Sequence, residues 1–149
     1  DAVNLAARLE SAAKQYGAYI QISETTREKL IPGSFLYRSL DIVRVVGKSE
    51  PVKTYELLAR NDESEKAQEL KKMIEIWEKA RIAYNETRWD DAIALFREAE
   101  ILEPHHPDKD PGSKTTPSSI YIARCESYKI NPPVPEGTPW DGIYTATSK

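Results

Sequence analysis

The sequence is poor in the residues that define several common classes of protein. It contains a single cysteine, Cys125, so no disulfide can form within the chain. Small extracellular folds that depend on disulfides are therefore excluded. No stretch reaches the roughly 18 consecutive apolar residues that a membrane helix requires. A reducing cytoplasm agrees with the single cysteine.

Positive charge is not concentrated anywhere in the chain. The 21 Lys and Arg residues are outnumbered by 24 Asp and Glu residues, which gives a net charge of -3. The chain lacks the basic footprint of a nucleic-acid-binding protein, and we expect no nucleic acid partner. Its 40% hydrophobic content suffices for one compact domain or two small ones. Because the apolar pattern begins immediately at Asp1, we expect a fragment of a longer protein.

The first 58 residues combine helical and strand patterns. Apolar residues recur on one face between Val3 and Tyr16, which predicts an amphipathic helix that Gly17 ends. Ser23 is placed to cap a second helix. Two or three strands are predicted within Phe35–Leu58, interrupted by turn residues at 47–51. This order indicates an α/β or α+β layer fold.

The composition changes after residue 59. Polar and charged residues at 60–66 predict a linker between a domain of residues 1–59 and a helical segment of residues 67–129. Residues 130–149 hold four of the ten prolines, and we expect this tail to lie extended against the helices. The predicted helices are 67–85, one capped by Asp90 or Asp91 that ends near Leu102, and one capped by Ser118 that ends near Tyr128.

The helical segment carries part of a repeat signature. Small alanines let two helices approach closely, and Phe96 fills the space between them. Five residues match the later positions of a tetratricopeptide repeat: Ala80, Ala92, Phe96, Ala99 and Pro104. One such unit cannot bury its own apolar face, so we expect it to pack against the first domain or a second subunit.

Two polar residues of the first predicted helix are candidates for a nucleotide site. Asn4 and Arg8 are four residues apart and share one side of that helix, beside its apolar face. An amide and a guanidinium in that position could hold a ribose and a phosphate. On spacing alone, a solvated flank of the helix is the more common interpretation of such a pair.

The segment Asp1–Glu10 is similar to the signature segment of the class III nucleotidyl cyclases. The resemblance continues through Ser11–Gly17 and the turn Gly47–Val52 into Tyr55–Leu57, and it covers about residues 1–58 in order. It implies the C-terminal part of a ferredoxin-like cyclase domain of bacterial type. It implies an active site shared between two such domains, and therefore a homodimer.

The resemblance also implies roles for single residues. Asn4 would orient the ribose, and Arg8 would stabilise the transition state as the 3′-hydroxyl attacks the α-phosphate and pyrophosphate leaves. Family members often carry a lysine where this chain has Val46, and Lys48 or Arg44 is the candidate to contact the substrate phosphates instead. The alternative for Lys48 is a solvated turn lysine.

The resemblance implies that some of the catalytic groups lie outside this chain. The family's ligands for Mg²⁺ or Mn²⁺ and its base-selecting residues precede the position of Asp1. We therefore expect the fragment alone to be inactive and the complete enzyme to be an adenylate cyclase, which is favoured over a guanylate cyclase. The chain's end, from Ile120–Cys125 to Trp140–Gly142, is similar to the tails of bacterial cyclases. Their usual organisation implies the cytoplasmic side of a membrane-anchored protein.

A second hypothesis makes the chain a binding module. In that interpretation the cyclase-like half is a degenerate scaffold without catalysis, and the helical segment recruits a protein partner. Val46 favours this alternative.

A metal site in the loop after Pro104 has little support. His105, His106, Asp108 and Asp110 match no standard ligand spacing, and we predict no metal there. We expect Cys125 to lie in the core rather than to be reactive.

Overall fold

A computed structural model describes residues 15–44 and 50–145 of the chain, with only the backbone at Thr145. Within these ranges, no helix is both long and apolar enough to cross a bilayer. Helices and strands are both present, so the α+β class is confirmed. In chain order the elements are β1 Gln21–Ser23, α1 Glu24–Glu28, β2 Phe35–Arg44, β3 Val52–Arg60, α2 Glu65–Asn85, α3 Trp89–Leu102, α4 Pro117–Ile130 and β4 Tyr144–Thr145.

The strands form one sheet in the order β1-β3-β2-β4. The first three strands are antiparallel, and β4 pairs in parallel with the end of β2. The predicted hairpin of β2 and β3 is confirmed. Its register shifts between Ser39 and Asp41, and Leu40 and Asp41 are both buried there. An extra residue in one strand breaks the strict alternation of faces, so two neighbouring side chains can both be buried.

Three helix starts are fixed by hydroxyl side chains. Ser23 caps α1 as predicted, and Ser64 caps α2. Helix α4 begins two residues earlier than predicted, because Thr116 is the cap and forms a capping box with Ser119. Pro117 then occupies the first turn, where its missing N–H costs nothing. The prediction of a Ser118 cap is therefore wrong.

The predicted cap of α3 at Asp90 or Asp91 is also wrong. Arg88 precedes the helix and makes no side-chain cap hydrogen bond, and both aspartates lie in the first turn. Thr87 has a positive φ of 61° in the short turn after α2, so the chain re-enters a helix within four residues. Acidic groups in a first turn still interact favourably with the helix dipole.

The three long helices pack side by side, α2 on α3 and α3 on α4. Ala80, Ala92 and Ala99 are fully buried, and so is Phe96, as the pattern of small residues predicts. The tetratricopeptide assignment itself stays a prediction. The ring of Trp77 lies 5.0 Å from that of Phe96 and 5.3 Å from that of Tyr121.

One apolar cluster extends across the region predicted to be a linker. Leu36 of β2 is buried in the same cluster as the helices, and Leu58 and Ala59 of β3 pack against it. The division of the chain into domains stays a prediction. The helices bury their apolar faces partly on the sheet, which agrees with the expected packing of the helical segment against the first half.

The proline-rich tail is held by aromatic contacts. The ring of Trp140 lies 5.1 Å from Tyr84, 5.7 Å from Trp89 and 5.6 Å from Tyr128. Beyond it, β4 joins the sheet beside β2, an element that the sequence does not predict.

Candidate functional site

The residues to which the sequence assigns catalytic roles lie outside the described residues. These residues are Asn4, Arg8 and Lys48, and their roles stay predictions. Val46, where the family often has a lysine, also lies outside the described residues. The described residues do include Gln15–Gly17, the last part of the stretch that continues the resemblance beyond Asp1–Glu10, together with described residues that pack against it.

Gly17 lies in direct backbone contact with the loop that precedes α4. Its φ is +72°, a conformation that L side chains rarely adopt. A Cβ added there would lie 2.0 Å from the Thr115 carbonyl oxygen. The positive φ is what the sequence predicts for a helix-ending glycine. The approach to Thr115 adds a second, long-range requirement for glycine.

Tyr16 lies next to Gly17 and is buried, with 5% of its surface exposed. Its hydroxyl donates a hydrogen bond to Asp41 Oδ2 and accepts one from Arg124 Nη2 at 2.9 Å. Arg124 Nη1 lies 2.9 Å from the same aspartate oxygen as an ion pair. Tyr16, a residue of β2 and a residue of α4 are thereby joined at one point, which we call the Tyr16 junction.

Electrostatics keep the Tyr16 phenol neutral and the Arg124 guanidinium charged. Burial and, after it, the Asp41 carboxylate raise the pKa of Tyr16 above its ordinary value, so the phenol remains a donor at neutral pH. Burial lowers the pKa of Arg124, but the Asp41 charge and the neighbouring tyrosines together outweigh that effect, and the net change is upward. The junction therefore holds a neutral phenol beside a charged guanidinium.

Helix α2 is connected to the same strand through its Arg81, which contacts Tyr121 of α4. The Tyr121 hydroxyl lies 2.9 Å from Asp41 Oδ1 and 2.6 Å from the Leu40 carbonyl oxygen, and it accepts a hydrogen bond from Arg81. Nearby, the Trp77 indole donates to the Ser39 carbonyl oxygen at 2.6 Å. Helices α2 and α4 are thus both anchored at the bulge of β2.

A second buried cluster lies further along the hairpin, centred on Arg38. Its Nε donates to Glu56 Oε1 at 2.8 Å, and its Nη1 lies 2.7 Å from Glu103 Oε2. Its guanidinium carbon is 4.3 Å from the Trp77 ring centroid. Burial alone would raise the pKa of Glu56. Arg38 and His105 together lower that pKa by more than burial raises it, so the net shift is downward. We call Arg38, Glu56, Glu103 and His105 the Arg38 cluster.

The histidines and aspartates of the loop after α3 do not converge on one point. His105 Nε2 lies 3.3 Å from Glu56 Oε2, inside the protein, and its ring is 3.8 Å from that of Tyr19. Asp110 instead accepts a hydrogen bond from the Tyr19 hydroxyl at 2.6 Å. Across residues 15–44 and 50–145, no group of three or more His, Cys, Asp or Glu side chains could hold a metal ion.

Both clusters are buried, ion-paired groups that join the sheet to the helices. Their charged groups form ion pairs with one another, which suits support of a structure better than turnover of a substrate. A groove of about 460 Å³ borders the Tyr16 junction, between Gln15 and Tyr144. Tyr16 and Arg124 are among the residues that line this groove, so the junction borders it on one side.

Sequence reasoning missed these clusters, although one signal was available. Arg38 stands between Leu36 and Leu40 at the two-residue spacing of a strand, so it shares their buried face. Glu56 is likewise in phase with the buried Thr54 of β3. Charged residues in phase with buried ones predict a buried ion pair, but their partner Glu103 lies 65 residues from Arg38 and has no such signal.

Two adenylate cyclases are similar to this chain. The terminal-differentiation-specific adenylate cyclase of Dictyostelium discoideum is 34% identical over 127 residues, which is 84% of this chain and 6% of that protein. An adenylate cyclase of Anabaena cylindrica is 46% identical over 61 residues, which is 40% of this chain and 12% of that protein. The chain spans a small part of the length of these relatives.

No family model matches the sequence. No solved structure matches it either. The two cyclases nevertheless establish that the chain is related to adenylate cyclases. A match over 84% of the chain must include the hairpin and helices α2 and α3 together, so the relationship extends into the helical segment.

Proposed function

We propose that this chain is the C-terminal part of a class III adenylate cyclase. In the complete homodimer, Asn4 orients the ribose of ATP and Arg8 stabilises the charge that develops on the α-phosphate. The observation that carries the proposal is the similarity to two adenylate cyclases, together with the presence of Asn4 and Arg8 in the signature segment.

The proposed reaction is an internal displacement. The 3′-oxygen of the ribose bonds to the α-phosphorus, the bond to the bridging oxygen of pyrophosphate breaks, and the hydroxyl proton is lost to water. A positioned guanidinium is suited to this chemistry, since phosphoryl-type transition states are stabilised mainly by fixed charge. Lys48 is proposed to contact the terminal phosphates.

Mg²⁺ or Mn²⁺ would neutralise the phosphate charge in the complete enzyme. The acidic and histidine side chains of the described part of this chain do not form a metal site. The family resemblance is the ground on which we propose that the metal ligands precede the position of Asp1 in the complete enzyme, and we derive no step through the metal from this chain. We also propose that the complete enzyme is membrane-anchored, with this chain on the cytoplasmic side.

The test compares variants of the complete enzyme. Arg8→Ala and Asn4→Ala should each lower kcat for cyclic AMP formation, Arg8→Ala by roughly a hundredfold or more. Arg97→Gln is the matched control, because Arg97 lies on the helical segment with its side chain 65% exposed and 4.0 Å from Glu126. An Arg8→Ala enzyme as active as the Arg97→Gln enzyme would overturn the proposal.

The isolated chain provides a second test. With ATP or GTP and either metal ion, the 149-residue chain alone should form no cyclic nucleotide. Turnover that persists in purified chain and is lost in Arg8→Ala would contradict the proposed division of the active site.

A non-catalytic scaffold is the second candidate, and Val46 favours it. In that case the complete protein folds and yet forms no cyclic AMP at any metal concentration. The helical segment would then bind a protein partner, and its loss would alter the assembly of the complete protein.

A further inference from the structure

We propose that a pocket between helix α2 and the β2–β3 hairpin binds a small carboxylate. The pocket has a volume of about 200 Å³, and Arg81, Lys53 and Ile82 are among the residues that line it. We call it the Arg81 pocket. The proposed ligand is a monoanion with a short apolar chain. The inference is independent of the proposed function, since it depends on described residues alone.

Arg81 differs from two other arginines that reach the interior. Arg38 and Arg124 each form an ion pair of 2.9 Å or shorter with a buried carboxylate. Arg81 is only 5% exposed, yet no carboxylate of the described residues pairs with it. Among those residues, only the Tyr121 hydroxyl accepts a hydrogen bond from its guanidinium, and Nε has no acceptor. A buried cation without a counterion is costly, so the site favours an anion.

The charges around the Arg81 pocket define the charge of the ligand. Four charged side chains line it, namely Asp41, Lys53, Glu78 and Arg81. Asp41 is already paired with Arg124 at 2.9 Å. The remaining three side chains sum to one positive charge, which a monoanion neutralises. A phosphate dianion would place a second negative charge beside the Glu78 carboxylate, and like charges repel more strongly in a partly buried site than in water.

Glu78 is held by strand β2 rather than by Arg81. Its Oε1 accepts hydrogen bonds from the Ser39 backbone N–H at 3.0 Å and from the Ser39 hydroxyl at 2.7 Å. These contacts fix the Glu78 carboxylate against the strand. Arg81 is therefore available to an external carboxylate, whose two oxygens suit the planar fork of a guanidinium.

The size and the walls of the Arg81 pocket define the rest of the ligand. Sites for drug-sized molecules measure roughly 300–1,000 Å³, so a volume of about 200 Å³ admits only a few carbon atoms beside the carboxylate. Ile42 and Ile82 both line the pocket, and Ile82 is 57% exposed. An apolar chain on the ligand would remove part of that surface from water. Butyrate has both features and serves as the probe.

The experiment measures butyrate binding to the complete protein by ligand-observed saturation-transfer NMR. Arg81→Met removes the cation and keeps an apolar stem, and Glu78→Gln removes the repelling charge. Ile82→Glu adds a negative charge at an exposed position of α2, where it should leave the fold intact. Ile101→Glu is its matched control, because Ile101 is 63% exposed on α3. The neutral 1-butanol and inorganic phosphate are the comparison ligands.

We expect saturable butyrate binding with a dissociation constant in the millimolar range, since so small a ligand makes few contacts. Arg81→Met and Ile82→Glu should each weaken binding about tenfold or more, because a charge-assisted hydrogen bond is lost or opposed. Glu78→Gln should tighten binding, and Ile101→Glu should match the wild type. 1-Butanol should bind about tenfold more weakly than butyrate.

Equal affinity for butyrate in the wild type and the Ile82→Glu variant, or no saturable binding at all, would overturn the inference. Phosphate that binds more tightly than butyrate, and loses its binding in Arg81→Met, would show the carboxylate assignment to be wrong. Should Arg81→Met fail to fold, Ile82→Glu decides the matter. None of these readouts measures cyclic AMP, so this site can fail while the proposed function holds.

Discussion

Replacing Arg38 with methionine should destabilise the folded chain more than any surface substitution. Methionine keeps the apolar stem beside Trp77 and removes the charge. The change leaves Glu56 and Glu103 facing each other without their cation. Both carboxylates are at least 99% buried, so water cannot replace the lost partner.

The expected loss follows from this burial. Removing one partner of a buried ion pair typically costs 3–5 kcal/mol, because the remaining charge is uncompensated. Since two carboxylates are affected, we expect about 5 kcal/mol, a large part of the roughly 5–15 kcal/mol of a whole domain. The triple variant Arg38→Met, Glu56→Gln, Glu103→Gln should recover most of the loss, since no buried charge remains among the three residues.

Urea unfolding at pH 7, followed by circular dichroism, measures these differences as free energies of unfolding. Arg97→Gln serves as the control, because an exposed pair contributes little. An Arg38→Met chain that unfolds at the wild-type urea concentration would refute the reasoning, as would a triple variant that is less stable than the single one.

Three further predictions concern single residues. The pKa of Glu56 lies below its ordinary 4.5 in the folded chain, so its ionisation contributes stability that is present above about pH 4.5 and is lost as the pH falls through the folded pKa. In urea titrations between about pH 5 and pH 3, Glu56→Gln should therefore lose less stability than the wild type. The same change of unfolding free energy with pH in both proteins would contradict this. Burial raises the pKa of the Cys125 thiol to about 12, so a thiol reagent at pH 8 should label it only as fast as the chain unfolds, and rapid labelling of folded chain would show the assignment to be wrong. Gly17→Ala should destabilise the chain by several kcal/mol more than Gly33→Ala in thermal unfolding, since both glycines have a positive φ but only Gly17 meets Thr115, and equal losses would rule out the close contact.

The sequence was sufficient to predict elements whose signals are local. The β2–β3 hairpin follows from β-branched runs on either side of a turn, and α2 follows from its helical periodicity. The errors at the starts of α3 and α4 are local as well. Arg88 precedes α3 without forming a side-chain cap, and Thr116, just before Pro117, is the cap of α4. Neither choice follows from the preference of aspartate and serine for helix starts.

The particular contacts that join the two halves could not be predicted from the sequence. The Tyr16 junction links residues 25 and 108 positions apart, and such pairs leave no periodic pattern. The short strand β4 depends on a partner about a hundred residues away along the chain, at Val43. The residues given catalytic roles, Asn4, Arg8 and Lys48, depend on the family resemblance and lie outside the described residues.

Product analysis of the complete enzyme tests the central claim most directly. Purified protein incubated with ATP and Mg²⁺ or Mn²⁺ should release cyclic AMP and pyrophosphate in equal amounts, and Arg8→Ala should abolish both together. Release of ADP and phosphate, or of no product under any of these conditions, would contradict the assignment of this chain to a working adenylate cyclase.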